Sequence, residues 1–159
     1  MAKSPTIAGI PPRRKREPLT RSQQMARIRS KNTSPELLTR SAVHALGLRF
    51  RKHVDDLPGK PDLANKTRKW AIFVHGCFWH SHGGCRLASS PKSNTGYWTK
   101  KLASNKKRDA INVVALEQRG FRVLIVWECE VRQRARLQEV LANFFDGKVE
   151  SSFPSFSRQ

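Results

Sequence analysis

The sequence is poor in acidic residues and has no long hydrophobic run. Of its 159 residues, 12 are aspartate or glutamate and 31 are lysine or arginine, so the formal net charge is +19. The longest strongly apolar stretches, residues 70–74 and 121–127, are far shorter than the roughly 20 residues of a membrane-spanning helix. No apolar segment follows the basic N-terminus, as a secretory signal would require. We therefore expect a soluble, intracellular protein with one domain of ordinary size.

Cysteine is also scarce. The chain has three, Cys77, Cys85 and Cys129, and an odd number in an intracellular protein argues against a disulfide framework. Cys77 and Cys85 flank His82, and Cys129 follows the second apolar stretch. If the two apolar stretches form neighbouring strands, three thiolates and one imidazole could complete a closed, structural zinc site. The alternative is three buried free cysteines.

The excess of positive charge is larger than solubility requires and favours a polyanionic partner. No helix pairs a basic face with a broad aromatic or leucine face, so we expect nucleic acid rather than an anionic membrane. The first 35 residues hold nine lysines and arginines against one acid, Glu17. With its four prolines, the segment 1–20 is predicted to be a flexible basic arm. Such an arm either tracks phosphates or is simply a solvated end.

A helix is predicted to start at Ser34, with Ser34 as its cap, Pro35 in the first helical position and Glu36 near the positive end of the helix dipole. Gly47 supplies its end. The apolar residues expected to share one face of this helix are Leu37, Leu38, Ala42, Ala45 and Leu46.

The remaining pattern alternates strands and helices. It predicts a short strand at 48–52, a turn at 58–61 leading into 62–64, a buried strand at 70–74, a helix at 97–119, a second buried strand at 121–127 and a closing helix at 131–145. Two apolar strands separated by a long helix indicate a βαβ unit and a partly parallel sheet. The expected class is α/β, or α+β if the hairpin dominates.

Three histidines and a cysteine follow directly on the first buried strand, in residues 74–82. His82 is assigned to zinc, which leaves His75 and His80 at a strand end, where functional groups of α/β folds cluster. His44 and His53 stand alone in the sequence and are given a structural role.

Asp62 supplies a carboxylate just before the first buried strand. If residues 62–64 and 70–74 form a hairpin, Asp62 lies close to His75. A carboxylate with main-chain carbonyl and water oxygens suits Mg²⁺, and a nearby histidine can move the protons of a hydrolysis. On a strongly basic protein this predicts phosphodiester hydrolysis. The alternative is that Asp62 is an ordinary turn residue.

Large aromatic residues stand next to these histidines. Phe78 and Trp79 are adjacent in the loop, and Trp98 precedes the basic segment 100–108 of the long helix. Aromatic rings exposed beside positive charge can stack on bases or wedge between base steps. Core packing is the alternative, although two neighbouring large rings flanked by metal ligands are hard to bury together.

These motifs together resemble a known family. The runs Gly59-Lys60-Pro61-Asp62, Phe73-Val74-His75-Gly76-Cys77-Phe78-Trp79-His80 and Val123-Leu124-Ile125-Val126-Trp127-Glu128-Cys129 are similar to those of the very-short-patch-repair (Vsr) mismatch endonucleases. The likeness extends from Arg21 to near Arg132.

The resemblance implies a fold like that of type II restriction endonucleases, a central mixed sheet flanked by helices with one structural zinc site. It implies an enzyme that nicks the thymine-containing strand 5′ to the T of a T·G mismatch, which arises by deamination of 5-methylcytosine. Its partners would be mismatched double-stranded DNA and other mismatch-repair proteins. The enzyme would be a monomer in the bacterial cytoplasm, associated with the nucleoid when bound to DNA. The endonuclease domain would span 21–148, followed by a polar tail at 149–159.

The resemblance also implies roles residue by residue. Asp62, His75, His80 and Glu36 would be catalytic, with Asp62 and the main-chain carbonyl of Val74 on Mg²⁺, His80 as general base and Glu36 supporting the site. Restriction-type nucleases often have Glu-x-Lys on this strand, so a histidine would stand in for the lysine. Zn²⁺ would be held by Cys77, His82, Cys85 and Cys129. The residues expected to contact DNA are Phe78, Trp79, Trp98, Asn105, Lys106 and Arg108, and Asp109 falls at a position that would either contact DNA or support the site.

Two other hypotheses stay open at this stage. One is a non-catalytic, zinc-stabilised DNA-binding module, and the other is a restriction-type nuclease that acts on paired DNA. The presence of Asp62 with two spare histidines favours catalysis over mere binding.

Overall fold

The computed structural model describes residues 31–89 and 91–147 of the chain. The predicted basic arm at 1–20 and polar tail at 149–159 lie outside the described residues. The elements, in chain order, are α1 (Ser34–Ala45), β1 (Arg51–Lys52), β2 (Leu63–Asn65), β3 (Trp70–His75), a 3₁₀ turn (Arg86–Ala88), α2 (Thr95–Gln118), β4 (Arg122–Trp127), α3 (Glu128–Val131) and α4 (Arg134–Phe145).

The four strands form one mixed sheet in the order β1-β2-β3-β4. β1, β2 and β3 are antiparallel neighbours, whereas β3 and β4 run parallel and are joined by α2. The predicted hairpin, βαβ unit and partly parallel sheet are therefore confirmed.

Helices cover both faces of the sheet because side chains alternate along β3. Ile72 belongs to a core cluster with α1, α3 and α4 on one face, and Ala71 and Phe73 belong to a second cluster with α2 on the other. The period of two along a strand explains this division. The mixed α/β class with a helix-flanked sheet is confirmed.

The register of β3 and β4 decides where the loops emerge. Val74 lies opposite Val126 and His75 opposite Trp127, so both strands end at the same edge. Cys77 and Cys129 follow these two ends at equal distances along the chain.

The prediction for the apolar face of α1 is wrong. Leu37 and Leu38 are 52% and 53% exposed, and the residues that α1 buries are Glu36, Thr39, Arg40 and Val43. These buried positions keep helical spacing, but they are mostly polar. The prediction failed because these polar side chains find partners in the interior: Arg40 pairs with Glu36, and the Thr39 hydroxyl donates to the Pro35 carbonyl.

Smaller corrections concern element ends. The cap of α1 is Thr33 rather than Ser34, and Pro35 is therefore the second helical residue. The closing helix, predicted at 131–145, is α4 at Arg134–Phe145, and the short helix α3 before it was not predicted; the first strand is only two residues long. In the part of the chain that the structure describes, none of the helices is both long and apolar enough to cross a membrane.

Candidate functional site

Three groups of ligand-type side chains gather around the end of β3. In each group the donor atoms lie within 4.8 Å of one another. The groups are Glu36, His53 and Asp62; His75, His80 and Asp109; and Cys77, His82, Cys85 and Cys129.

Asp62 lies against the end of β3, as the hairpin predicted. Its Oδ2 accepts a hydrogen bond from the main-chain N–H of Val74 at 2.8 Å. Burial raises the pKa of Asp62, the Val74 bond opposes that shift, and the nearby charge of Glu36 raises the pKa further. Two carboxylates held together out of water favour a bound cation, because a cation offsets their desolvation and their mutual repulsion.

Glu36 is held from several sides at the start of α1. Its Oε2 accepts from the main-chain N–H of Asn32 at 3.0 Å and from Arg40 Nη2 at 2.8 Å. Its Oε1 accepts from the hydroxyl of Thr33 at 2.9 Å. Glu36 is only 4% exposed, and these hydrogen bonds fix the orientation of its carboxylate.

His53 is the residue of this region that the sequence interpretation missed. It stands alone in the sequence, yet its Nδ1 lies 3.9 Å from Asp62 Oδ1 and its Nε2 lies 3.7 Å from Glu36 Oε2. The register of β1 against β2 is the feature that places His53 beside Asp62. Lys52 pairs with Leu63, so the next pair along the ladder is His53 with Asp62, and the main-chain N–H of His53 donates to the Asp62 carbonyl at 3.2 Å.

His75 and His80 lie next to each other, with ring centroids 3.7 Å apart and planes only 9° from parallel. His75 is buried at the end of β3, and desolvation together with the charge of His80 lowers its pKa from 6.5 to about 3. His75 is therefore neutral near pH 7 and packs as an uncharged ring against His80 and Trp127. It cannot replace the positive charge of a lysine.

His80 is paired with Asp109 of α2. Its Nδ1 lies 2.6 Å from Asp109 Oδ2. Burial raises the pKa of Asp109, but the hydrogen bond and charge of His80 outweigh it, so the pKa lies below its ordinary value. An ionised carboxylate only accepts hydrogen bonds, so Nδ1 of His80 is the donor to Asp109, and whenever the ring is neutral its lone pair is on Nε2. This is the arrangement of a general base oriented by a carboxylate.

The cysteine group has the dimensions of a tetrahedral metal site. His82 Nδ1 lies 3.5 Å from Cys77 Sγ and 3.4 Å from Cys129 Sγ. Zinc ligands at about 2.3 Å for sulfur and about 2.0–2.1 Å for nitrogen, at tetrahedral angles, are about 3.6 Å apart. The His82 ring stacks on Trp127 with centroids 4.1 Å apart, which holds it in place.

The thiols of this group differ in acidity. Burial raises the pKa of Cys77 to about 12, so without a metal this thiol stays protonated at neutral pH. The main-chain N–H of Leu87 lowers the pKa of Cys85. A bound metal cation favours the thiolate form of its ligands, so metal binding would release protons here.

Phe78, Trp79 and Trp98 form a half-buried aromatic cluster beside His80. Their ring centroids lie 5.1–5.9 Å apart, in edge-to-face or tilted pairs. Trp98 projects from the first turn of α2, and the other two rings come from the loop after β3. The rings therefore share one surface rather than the hydrophobic core.

Asn105 supports this loop from within the protein. It is 6% exposed, its Nδ2 donates to the carbonyl of Trp79 at 2.9 Å, and its Oδ1 accepts from Arg108 at 3.0 Å. Lys106, by contrast, is exposed on α2. Of the predicted DNA contacts on α2, Lys106 and Arg108 are therefore at the surface and Asn105 is not.

Comparison with known proteins shows that this chain is similar to one family. A family model described as DNA mismatch endonuclease Vsr matches residues 14–86. The chain is 46% identical over 129 residues to "Type II nicking enzyme V.XorIIP" of Xanthomonas oryzae pv. oryzae, which covers 81% of this chain and 94% of that protein. It is 43% identical to "Type II nicking enzyme V.NmeAIP" of Neisseria meningitidis over 76% of this chain and 86% of that protein.

A further relative carries the family's own name. The chain is 40% identical over 120 residues to "DNA mismatch endonuclease Vsr" of Escherichia coli, covering 76% of each protein. Fold, site and relatives together define an endonuclease that acts on DNA. More specifically, the chain belongs to the Vsr family of DNA mismatch endonucleases, which confirms the resemblance seen in the sequence.

The low pKa of His75 makes stability depend on pH. Because the folded protein binds this proton with a pKa of about 3 and the unfolded chain with one near 6.5, the unfolded state takes up the proton first as pH falls. We expect the free energy of unfolding to drop between pH 6.5 and 3 more steeply in the wild type than in His75→Gln, by up to about 1.4 kcal/mol per pH unit. Urea unfolding at a series of pH values measures this. Every other group titrates in both proteins, so parallel curves would contradict a buried neutral His75.

Proposed function

We propose that the chain is a Mg²⁺-dependent DNA repair endonuclease that nicks the thymine-containing strand 5′ to the T of a T·G mismatch. The observation that carries the proposal is the end of β3, where Asp62 bonds to Val74 and lies close to Glu36, and where the His80–Asp109 pair stacks on His75. The family supports action on mismatched DNA, and several relatives are named as nicking enzymes.

The donors fit a hard divalent cation. Asp62 and the main-chain carbonyl of Val74 would hold Mg²⁺, and Glu36 would orient water at the site from its fixed position. The bound cation would polarise the scissile phosphate and neutralise the charge that develops on it. Carboxylate and carbonyl oxygens are the ligands that Mg²⁺ prefers.

The chain's own residues would manage the protons. His80 Nε2 takes a proton from the attacking water, and Asp109 stabilises the imidazolium that forms. The water oxygen then forms a new bond to phosphorus as the bond to the leaving oxygen breaks, and the leaving oxygen takes up a proton from solvent. His75, neutral and stacked on His80, keeps that ring in plane and excludes bulk water from one of its faces.

DNA would be held by the basic surface and distorted by the aromatic cluster. Phe78, Trp79 and Trp98 would insert beside the mismatch, where the weaker pairing reduces the cost of unstacking. Lys106 and Arg108 would contact phosphates, and the basic arm at 1–20 would add affinity without sequence preference. We assign Asn105 to support of the Trp79 loop, because the nitrogen and the oxygen of its side-chain amide both form hydrogen bonds within the protein.

The cysteine group would hold one structural zinc ion that ties the loop after β3 to the end of β4. All four positions would be filled by protein, so this ion would not activate water. The overall architecture, a restriction-endonuclease-like sheet with a zinc-braced loop, belongs to the same proposal. We also propose that the endonuclease domain spans 21–148. The enzyme would be a cytoplasmic monomer whose partners are DNA and other repair proteins.

Replacement of Asp62 tests the metal site. Asp62→Asn should lower the single-turnover nicking rate of a T·G duplex with Mg²⁺ by at least about 10²-fold, because a cation supplies several kcal/mol of charge stabilisation in the transition state. Asp55→Asn is the matched control, since Asp55 is an exposed aspartate in the same loop, where it forms a surface ion pair with Lys60. Equal nicking by Asp62→Asn and Asp55→Asn would refute the assigned metal site.

Metal content tests the cysteine group. Purified protein should carry about one zinc per chain, and His82→Ala should lose the metal and melt at a lower temperature, because structural zinc contributes directly to folding. His44→Ala, at an exposed histidine on α1, should keep both the metal and the melting temperature. Folded, active protein without zinc would overturn this assignment.

The aromatic cluster can be tested by its effect on discrimination. Trp79→Ala should reduce the preference for T·G over matched duplex by about 5- to 150-fold, as expected for losing about 1–3 kcal/mol of stacking. Tyr97→Ala is the control, because Tyr97 is an exposed aromatic next to Trp98. Competition binding measures both affinities. An equal loss of affinity for matched and mismatched DNA would mean that Trp79 only packs.

A further inference from the structure

Arg40 is a buried cation beside the predicted metal site. It is only 8% exposed, on the inner face of α1. Its Nη1 donates to Asn32 Oδ1 at 2.6 Å and its Nη2 to Glu36 Oε2 at 2.8 Å. Nη2 also lies 2.9 Å from His53 Nε2. A charge buried this deeply is retained in a fold only when such partners compensate it.

The contact between Arg40 and His53 determines the state of the imidazole ring. A guanidinium group has donors and no acceptor, so Nε2 of His53 must be the acceptor. The proton of the neutral ring is then on Nδ1. Nδ1 lies 3.9 Å from Asp62 Oδ1, so the protonated nitrogen is the ring atom that neighbours this carboxylate. This separation exceeds a hydrogen bond, as is common in active sites before ligand binds and the contacts tighten.

The two oxygens of Asp62 are approached from different elements. Oδ2 accepts from the main-chain N–H of Val74 in β3, and Oδ1 faces His53 at the end of β1. His53 adopts a positive φ of 45°, an uncommon conformation for any residue but glycine, and residues in such conformations cluster at functional sites.

We propose that Arg40 and His53 are positioning residues that orient the Asp62 carboxylate for the divalent cation through the sequence of contacts Arg40–His53–Asp62. This inference rests on the proposed function, in which Asp62 holds that cation. His53 itself is not a metal ligand, because Nε2 is occupied by Arg40 and Nδ1 carries the proton. Partners that orient a ligating carboxylate typically change metal affinity by about 10- to 100-fold when they are removed.

The test measures Mn²⁺ binding rather than turnover. Zinc-loaded protein carrying His80→Ala, which blocks cleavage in the proposed mechanism, is bound to a T·G duplex and titrated with Mn²⁺ while free Mn²⁺ is followed by electron paramagnetic resonance. His53→Gly removes the ring and suits the positive φ, so the fold should persist. We expect it to weaken Mn²⁺ binding by about 10- to 100-fold with unchanged DNA affinity.

Conservative variants separate positioning from simple packing. Asparagine tolerates the left-handed conformation and places an amide nitrogen near the position of Nδ1, so His53→Asn should restore part of the Mn²⁺ affinity. Arg40→Lys keeps the charge but has one nitrogen on a shorter side chain in place of the fork that reaches Asn32 as well as Glu36 and His53, so it should give an intermediate loss. Unchanged Mn²⁺ affinity in His53→Gly would overturn the inference.

The same titration distinguishes failure of the inference from failure of the proposed function. If Asp62→Asn leaves Mn²⁺ affinity unchanged, the proposed metal site itself is wrong. If Asp62→Asn weakens Mn²⁺ binding and His53→Gly does not, the metal site stands and only the positioning role of Arg40 and His53 is refuted. A nitrogen hyperfine coupling to Mn²⁺ that disappears in His53→Gly would make His53 a ligand and would also overturn the inference.

Discussion

The parallel pairing of β3 with β4 is the constraint on which the rest of the site depends. Because His75 lies opposite Trp127, both strands end at one edge of the sheet. The loop after β3 and the short helix α3 after β4 then supply Cys77 and Cys129 to the same group. A shift of one residue in this register would turn every side chain of β4 to the other face and separate these ligands.

The second organising feature is the burial of charge around Asp62. An ordinary amphipathic helix would place leucines against the sheet, yet α1 places Glu36 and Arg40 there and leaves Leu37 exposed. The arrangement is stable because Arg40 satisfies Glu36 and His53 at once. The buried face of α1 therefore contributes less hydrophobic burial than an ordinary amphipathic helix would. It provides instead a fixed, charged environment next to the end of β3.

Much of the fold could be predicted from the sequence. The two continuous apolar strands, the long helix between them and the cysteine after the second strand are all visible as local sequence patterns. The hairpin that brings Asp62 to Val74 follows from the same pattern. His53 could not be placed, since its role depends on the register of a strand only two residues long. The Asp109 partner of His80 lies 29 residues away and depends on how α2 packs, which periodicity does not determine.

Two charged systems therefore meet at the end of β3, a carboxylate group that favours a divalent cation and a histidine oriented by Asp109. The central claim is that together they cut one strand at a T·G mismatch. The most direct measurement is single-turnover cleavage, with Mg²⁺, of duplexes labelled on both strands that differ only in the base opposite one thymine. The account predicts a nick 5′ to that thymine, in its own strand, when guanine is opposite and far slower cleavage when adenine is opposite. Equal cleavage of both duplexes, or cleavage of both strands, would contradict it.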